Sequence, residues 1–247
     1  MKVDDARFQE AQAAEARHHE EAWHFVNMGP LVYVKNIQDY RHWLESFYRA
    51  VLFQFGFGSA FFEDKNILEV GSGPYGMVQI LPGKRRVAID PLMKQFEPFM
   101  QEHWDKTIER HPMMAESMPF EDGAFDVIFL LNCLDHTNAP QDVAQSIVRC
   151  LAPGGFLFIM NNVKSPFGVF LSILGEKFNI DRFREVFHPH ALSQTAIINL
   201  FKDRGCKLIG EAQMTGGLHV QTKAKHLLGT IKRALIAEKA LYLLFQK

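Results

Sequence analysis

Cysteine is scarce: Cys133, Cys150 and Cys206 are the only three in 247 residues, an odd and widely spaced set. That excludes a disulfide framework and fits a reducing compartment. Long apolar runs are missing too. The longest, residues 50–62 (broken by Gln54 and glycines) and 167–175, fall short of the roughly 18–20 residues that span a bilayer. Residues 1–23 are charged throughout and lack the apolar core of a secretory signal, so a cytoplasmic protein is expected. There is no basic excess, with 27 Lys and Arg against 28 Asp and Glu, which weighs against a nucleic-acid partner. Tyrosine (5) and tryptophan (3) are few beside 22 phenylalanines, so the aromatic content is almost wholly apolar. No repeat or low-complexity linker interrupts the chain.

What is present reads as alternating elements. Residues 4–26 form a polar, Ala/Glu-rich helical pattern. Residues 39–55 form a second, with Trp43, Leu44, Phe47, Tyr48, Val51 and Leu52 at helical spacing. Beyond Asp64 come short apolar strands, at residues 66–70, 86–89, 125–131 and 155–160. The clearest helix between them starts after Asn138, with Pro140 in its first turn, and closes at Pro153-Gly154. Later, Ser193 is placed to cap a helix ended by Gly205, and strands are expected near residues 207–212 and 240–245. Strands alternating with helices predict a mostly parallel α/β sheet. Two closing strands with no room for a crossover predict an antiparallel edge strand.

The segment Glu69-Val70-Gly71-Ser72-Gly73-Pro74-Tyr75-Gly76 joins a strand to a helical stretch, and its glycines have G-x-G-x-x-G spacing. Glycine lets a backbone turn tightly and approach a ligand closely. Asp90 ends the next strand, where an acid accepts hydrogen bonds from ribose hydroxyls. A nucleotide-type ligand is therefore expected. A dinucleotide would need a helix N-terminus facing its pyrophosphate. Glu69 would repel that anion and suit an ammonium or sulfonium, and the stretch after Gly76 is cut short at Pro82-Gly83. Both features favour S-adenosylmethionine over NAD.

The motifs carry a family resemblance. LEVGSGPYG (residues 68–76) resembles the first motif of class I S-adenosylmethionine-dependent methyltransferases, and VAIDPLM (87–93) the acidic end of their second strand. AESMPFEDGAFDVIFLLNCLDHTNAP (115–140) resembles their third and fourth strand ends in the ubiquinone/menaquinone-biosynthesis type, and CLAPGGFLFI (150–159) the turn into their fifth strand. The resemblance implies a seven-stranded, mostly parallel Rossmann-like sheet with an antiparallel last strand, helices on both faces and an N-terminal helical lid. It implies one domain, with a helical cap at 1–63, a cofactor core at 64–160 and a substrate-side insert with terminal strands at 161–247. Carried over by position, Glu69, Gly71, Ser72 and Gly73 line the amino-acid part of the cofactor. Asp90 holds the ribose, Pro91 and Leu92 flank the adenine, and Glu116, Ser117 and Met118 sit at its edge. Asn132 lies beside the sulfonium. Tyr75 departs from the small residue common at its place and narrows the methionine end or changes how the loop packs.

For the chemistry, His136 is the candidate general base and Asp135 its acidic neighbour, just beyond the fourth strand. His188 and His190 occupy a loop where relatives put substrate-side residues, and Trp23 and Tyr33 belong to the N-terminal lid. No metal site is expected, because the two histidines of His188-Pro-His190 have no cysteine or carboxylate near them in sequence. His18, His19 and His24 lack the i, i+4 spacing of a zinc-protease helix and read as a solvated face. Cys133 lacks the Pro-Cys pair of cytosine-methylating enzymes, so nucleic acid is not expected as substrate. Phe167, Phe170, Phe178 and Phe183 read as core or as the wall of an apolar, lidded acceptor site. The acid-free stretch with Lys223, Lys225, Lys232 and Arg233 reads as a helix packed on the sheet edge, or as a dock for an anionic acceptor or a membrane surface. The expected activity is methyl transfer to an oxygen or nitrogen of a small molecule, with a glycan or lipid-linked intermediate in view. A non-catalytic cofactor-binding partner and an NAD-type oxidoreductase are the alternatives, and the sequence leaves oligomeric state open.

Overall fold

Seven short runs of apolar, β-branched and aromatic residues pair into one sheet in the computed structural model, which describes residues 2–23, 36–178, 180, 187–214 and 239–247. The elements run α1 (Asp5–Trp23), α2 (Ile37–Gln54), β1 (Asn66–Val70), β2 (Arg85–Ile89), α3 (Met93–Met100), β3 (Glu109–His111) and β4 (Phe125–Leu131). They continue with α4 (Pro140–Cys150), β5 (Leu151–Val163), α5 (Pro166–Phe178), α6 (Gln194–Lys202), β6 (Lys207–Met214) and β7 (Lys239–Gln246). The strand order is β3-β2-β1-β4-β5-β7-β6. Every pair from β3 to β5 is parallel, whereas β7 is antiparallel to both β5 and β6.

The reversed last strand agrees with the resemblance, but its expected place at the sheet edge does not. β7 lies inside, between β5 and β6. Its residues from Ala240 to Phe245 are all buried, and a continuous apolar run of that kind needs neighbours on both sides. β6, with the more polar sequence KLIGEAQM, takes the edge instead.

The order in which strands are added reverses between the parallel neighbours β1 and β4, and at such a switch point the strand ends open a crevice. The register aligns Val70 with both Ile89 of β2 and Leu130 of β4, so the three strands end together. Gly71, Asp90 and Asn132, the residues just past these strand ends, emerge at one rim.

The two faces of the sheet are covered differently. Val143, Ala144 and Ile147 of α4 and Ile197 and Phe201 of α6 pack on one. Ser193 caps α6 as expected, its Oγ accepting from the Ala196 amide at 3.2 Å. Much of the phenylalanine excess sits on the other face. There Phe129 stacks on Phe158 with centroids 5.0 Å apart, and Phe57 meets Phe158 edge-on at 5.1 Å. Phe61 and Phe62 complete that cluster. The rings of the insert behave otherwise. Phe167, Phe170 and Phe178 of α5 are 48%, 54% and 61% exposed, so they are neither core nor cavity wall. Phe183 and the basic stretch around Lys223–Arg233 lie outside the described residues. No described helix is long and apolar enough to cross a membrane.

These positions make opposite predictions. Phe158→Ala, at a site 1% exposed, is expected to cost about 3–5 kcal/mol in urea unfolding. Phe170→Ala on the exposed face of α5 should stay within about 0.5 kcal/mol.

Candidate functional site

The glycine turn is built by hydrogen bonds that only a bare backbone can reach. Gly71 and Gly73 have φ of 67° and 57°, in the left-handed region that glycine enters without strain. A Cβ on Gly71 would also overlap the Cys133 side chain. The amides of Gly71 and Ser72 both donate to the Ile89 carbonyl, at 2.9 and 3.2 Å. Gly73 then donates to Asp90 Oδ2 at 2.9 Å, and Leu92 to Asp90 Oδ1 at 2.8 Å. Asp90 is thus fixed at the rim, 7% exposed. Burial pushes its carboxyl up to about 6, against the pull of those two N–H groups.

Glu69 holds the far side of the turn. Its carboxylate lies under the loop and accepts from the amides of Met77, at 2.9 Å, and Val78, at 2.8 Å. Gly76 must be glycine for this reason, since any Cβ there would strike the Glu69 carboxylate. The sequence suggested that Glu69 would answer a cationic ligand directly; the structure shows it engaged with the backbone. Burial raises its pKa to about 7, the two amide bonds opposing the shift. Met77–Gln79 is a single short helical turn. The free N–H groups that a pyrophosphate would need there are already taken by Glu69.

A cleft of about 190 Å³ opens above the turn. Gly71, Ser72, Gly73, Asp90, Pro91, Leu92, Glu116 and Asn132 line it, as expected. Ser117 and Met118 do not: Met118 is packed in the core at 2% exposure, and Ser117 faces solvent. Met113, Met114 and Ala115 take their place. Glu116 Oε1 accepts from the Asn138 and Ala139 amides, 2.8 and 3.1 Å away, capping α4, while its buried Oε2 is unpaired. Asn132 has φ of 49° and donates its amide to the Met160 carbonyl. Tyr75 lines the cleft, together with Tyr40 and Tyr48 of α2. Among the described residues no lysine or arginine lines it, whereas Glu15, Glu69, Asp90 and Glu116 do. An electronegative wall of this kind fits a cationic adenosyl ligand and opposes a pyrophosphate.

The roof comes from α1, part of the segment expected to form a helical cap, although its histidine cluster read as a solvated face. Phe8, Gln12, Glu15 and His19 line the cleft from it, and His19 packs edge-on against Phe96 at 5.2 Å. Their helical spacing was the available signal, hidden because three of the four are polar. The side chain of Trp23, at the end of α1, and all of Tyr33 lie outside the described residues.

Opposite the glycine turn, His136 is flanked by two acids. Its Nδ1 is 3.3 Å from Glu15 Oε2 and its Nε2 is 3.9 Å from Asp135 Oδ1. Burial opposes charge on the ring, but Glu15 and Asp135 outweigh it and raise the pKa to about 9. The two acids thus favour the protonated ring, which weighs against His136 as the general base expected from sequence. Glu15 is correspondingly held low; burial works against this, and His136 and His19 prevail. His188 packs edge-on to His136 at 4.6 Å, with Nε2 3.8 Å from Asp135 Oδ2. This corrects the expectation that His188 has no carboxylate near it: Asp135 comes from a distant part of the chain. His190 Nε2 contacts the Asn138 carbonyl at 3.2 Å, and burial lowers its pKa. Both histidines line a second cavity of about 600 Å³ among α5, α6 and the N-terminal residues.

A family model described as a methyltransferase domain matches residues 15–211 of the chain. The chain is similar to a tRNA U34 carboxymethyltransferase from Pseudoalteromonas atlantica, 33% identical over 103 residues that cover 39% of this chain and 32% of that protein. It is also similar to the thiol S-methyltransferase TMT1B of Homo sapiens, 34% identical over 109 residues, or 41% of this chain and 44% of that one. The matches thus span less than half the length of either relative. The YcgJ protein of Bacillus subtilis shares the fold, with a TM-score of 0.57 at 15% identity over 75% of this chain and 93% of that chain.

If Glu69 holds the turn, Glu69→Ala leaves two buried amides without acceptors, at about 1–3 kcal/mol each. Thermal unfolding should show a large loss of stability. Glu69→Gln, which keeps one acceptor, should lose less.

Proposed function

We propose, on the premise that the chain belongs to the methyltransferase domain family, that it transfers the methyl group of S-adenosylmethionine to an oxygen or nitrogen of a small molecule. The observation that carries this reading is the consumption of the Met77 and Val78 amides by Glu69 beside a cleft free of lysine and arginine among its described lining. Such a cleft suits a ligand with a sulfonium and an ammonium, and it argues against the NAD-type alternative.

S-adenosylmethionine, when bound, supplies a methyl already activated on sulfur, so transfer is an in-line displacement. The chain's task is alignment and exclusion of water, worth roughly 7–11 kcal/mol in well-oriented reactions. Asp90 accepts from the ribose hydroxyls with the lone pairs that Gly73 and Leu92 leave free. Gly71 and Gly73 allow the backbone to approach the amino-acid end, and Glu116 Oε2 offers an acceptor at the adenine end. Asn132 stands beside the methyl path, and Tyr40, Tyr48 and Tyr75 keep the methionine end dry. Asp135 and His136 form the polar wall on the acceptor side.

The second cavity supports a small acceptor in preference to a nucleic acid. Among the described residues, Lys2, Arg7, Lys164 and Lys177 border it with Asp4 and Glu176 as the acids, which suits an anionic group. Arg7 pairs with Glu176 at 2.9 Å and Lys164 donates to Ser172 at 2.9 Å, so this basic rim is already ordered. Ile173, Leu192, Ile197 and Leu200 in its lining favour an acceptor with an apolar part, such as a lipid-linked intermediate.

Incubation with labelled S-adenosylmethionine across a panel of small anionic and lipid-linked acceptors should yield S-adenosylhomocysteine and a labelled product. Cofactor binding without turnover on any acceptor would support a non-catalytic partner. Asp90→Ala removes two charge-assisted bonds to the ribose and should weaken cofactor binding by about a hundredfold. Unchanged affinity would mean that the ribose lies elsewhere.

A further inference from the structure

Asp135, His136 and His188 meet where the cofactor cleft and the second cavity adjoin. His136 lines the first and His188 the second. Each offers one donor atom, and the three atoms lie within 4.8 Å of one another. The closest approaches to Asp135, 3.9 Å from His136 and 3.8 Å from His188, exceed hydrogen-bond length. Measured to Oδ1 and Oδ2 respectively, these spacings leave room for an intervening atom. A four-coordinate ion with bonds of about 2.0–2.2 Å has ligand–ligand edges of roughly 3.3–3.5 Å, so a modest closing of the side chains completes the site.

Two of the three residues hold unspent donors. Asp135 is 4% exposed, and its Oδ1 completes no hydrogen bond; neither does Nε2 of His136, whereas its Nδ1 faces Glu15. Buried polar atoms in this state are uncommon and call for a partner. The surroundings orient them. Glu15 lies 3.3 Å from His136 Nδ1, leaving Nε2 toward Asp135, and a carboxylate behind the far nitrogen is how a metal-binding imidazole is usually held. The edge-on packing of the two rings keeps His188 beside it.

We propose that Asp135, His136 and His188 bind one divalent first-row transition ion, such as Zn²⁺, at the junction of the cofactor cleft and the acceptor cavity. Two imidazoles and one carboxylate favour zinc and its neighbours over Mg²⁺ or Ca²⁺, which take oxygen ligands. Three protein donors leave a position open, as in catalytic sites. Its use rests on the methyltransferase reading. An acceptor hydroxyl bound at the open position is acidified and loses its proton to solvent. The oxygen lone pair then forms the C–O bond as the C–S bond breaks and S-adenosylhomocysteine departs. His136 acts in this scheme as a ligand, its extra ring proton released to solvent as the ion binds, and no separate base is required.

The test uses the full chain, stripped with a chelator and titrated with Co²⁺, a spectroscopic substitute for Zn²⁺. One Co²⁺ per chain with visible ligand-field absorption, displaced by Zn²⁺, is expected. His188→Ala and Asp135→Asn should abolish that absorption, and Glu15→Gln should weaken affinity by about 10–100-fold. S-adenosylhomocysteine calorimetry on the same samples reports that fold and cofactor cleft are intact. Protein that binds S-adenosylhomocysteine but shows no Co²⁺ absorption would overturn the proposal, leaving water between the three side chains. Absorption that survives both ligand substitutions would overturn it as well, placing the ion on other histidines. Stoichiometric Co²⁺ binding without S-adenosylhomocysteine binding would keep the metal site and remove the methyltransferase reading.

Discussion

The architecture of the site depends on one buried acid. Glu69 sits on the interior strand β1, 1% exposed, and its two oxygens take the amides just beyond the glycine loop. This bond pair pulls the chain back under the loop and requires glycine at position 76, and the helical turn that follows is a single short one. With those amides satisfied, the loop offers an adenosyl ligand its curvature and bare backbone, and no anion-binding helix end. The same G-x-G-x-x-G spacing without the acid would be suited to a dinucleotide. A single carboxylate therefore changes which ligand charge the crevice accepts.

A second tier of acids extends this logic across the cleft. Asp90 braces the turn through Gly73 and Leu92, and Glu116 caps α4 through Asn138 and Ala139. In each case a side chain that faces the ligand also holds the backbone that shapes the cleft, so binding geometry and local stability are linked. Glu15, arriving from α1, completes the roof and at the same time orients His136. The cleft thus joins a region organised by backbone-bound carboxylates to one organised by imidazoles.

The fold was legible because it is written in local patterns. Apolar strands, the glycines at 71, 73 and 76, Asp90 after β2 and Pro140 at the start of α4 are each short-range signals. β7 was misplaced at the edge because strand order is a long-range property; only the burial of Ala240–Phe245 shows that two neighbours are required. The site was half legible for the same reason. The cofactor side derives from consecutive strand ends, so its motif residues were found, apart from Ser117 and Met118, which the turn after β3 directs away. The roof and the acceptor wall join distant segments. Glu15 and His19 looked like a polar helix face, and His188 looked isolated until folding carried Asp135 to it. The phenylalanine excess misled in part: Phe129 and Phe158 stack in the core, while the rings of α5 face outward.

The central claim is that Glu69 makes the crevice a site for a cationic adenosyl ligand. Calorimetric titration of the full chain with S-adenosylmethionine, S-adenosylhomocysteine and NAD tests it most directly. Saturable one-to-one binding of the first two with no heat from NAD is the predicted result. Saturable binding of NAD, with none of either adenosyl ligand, would contradict it.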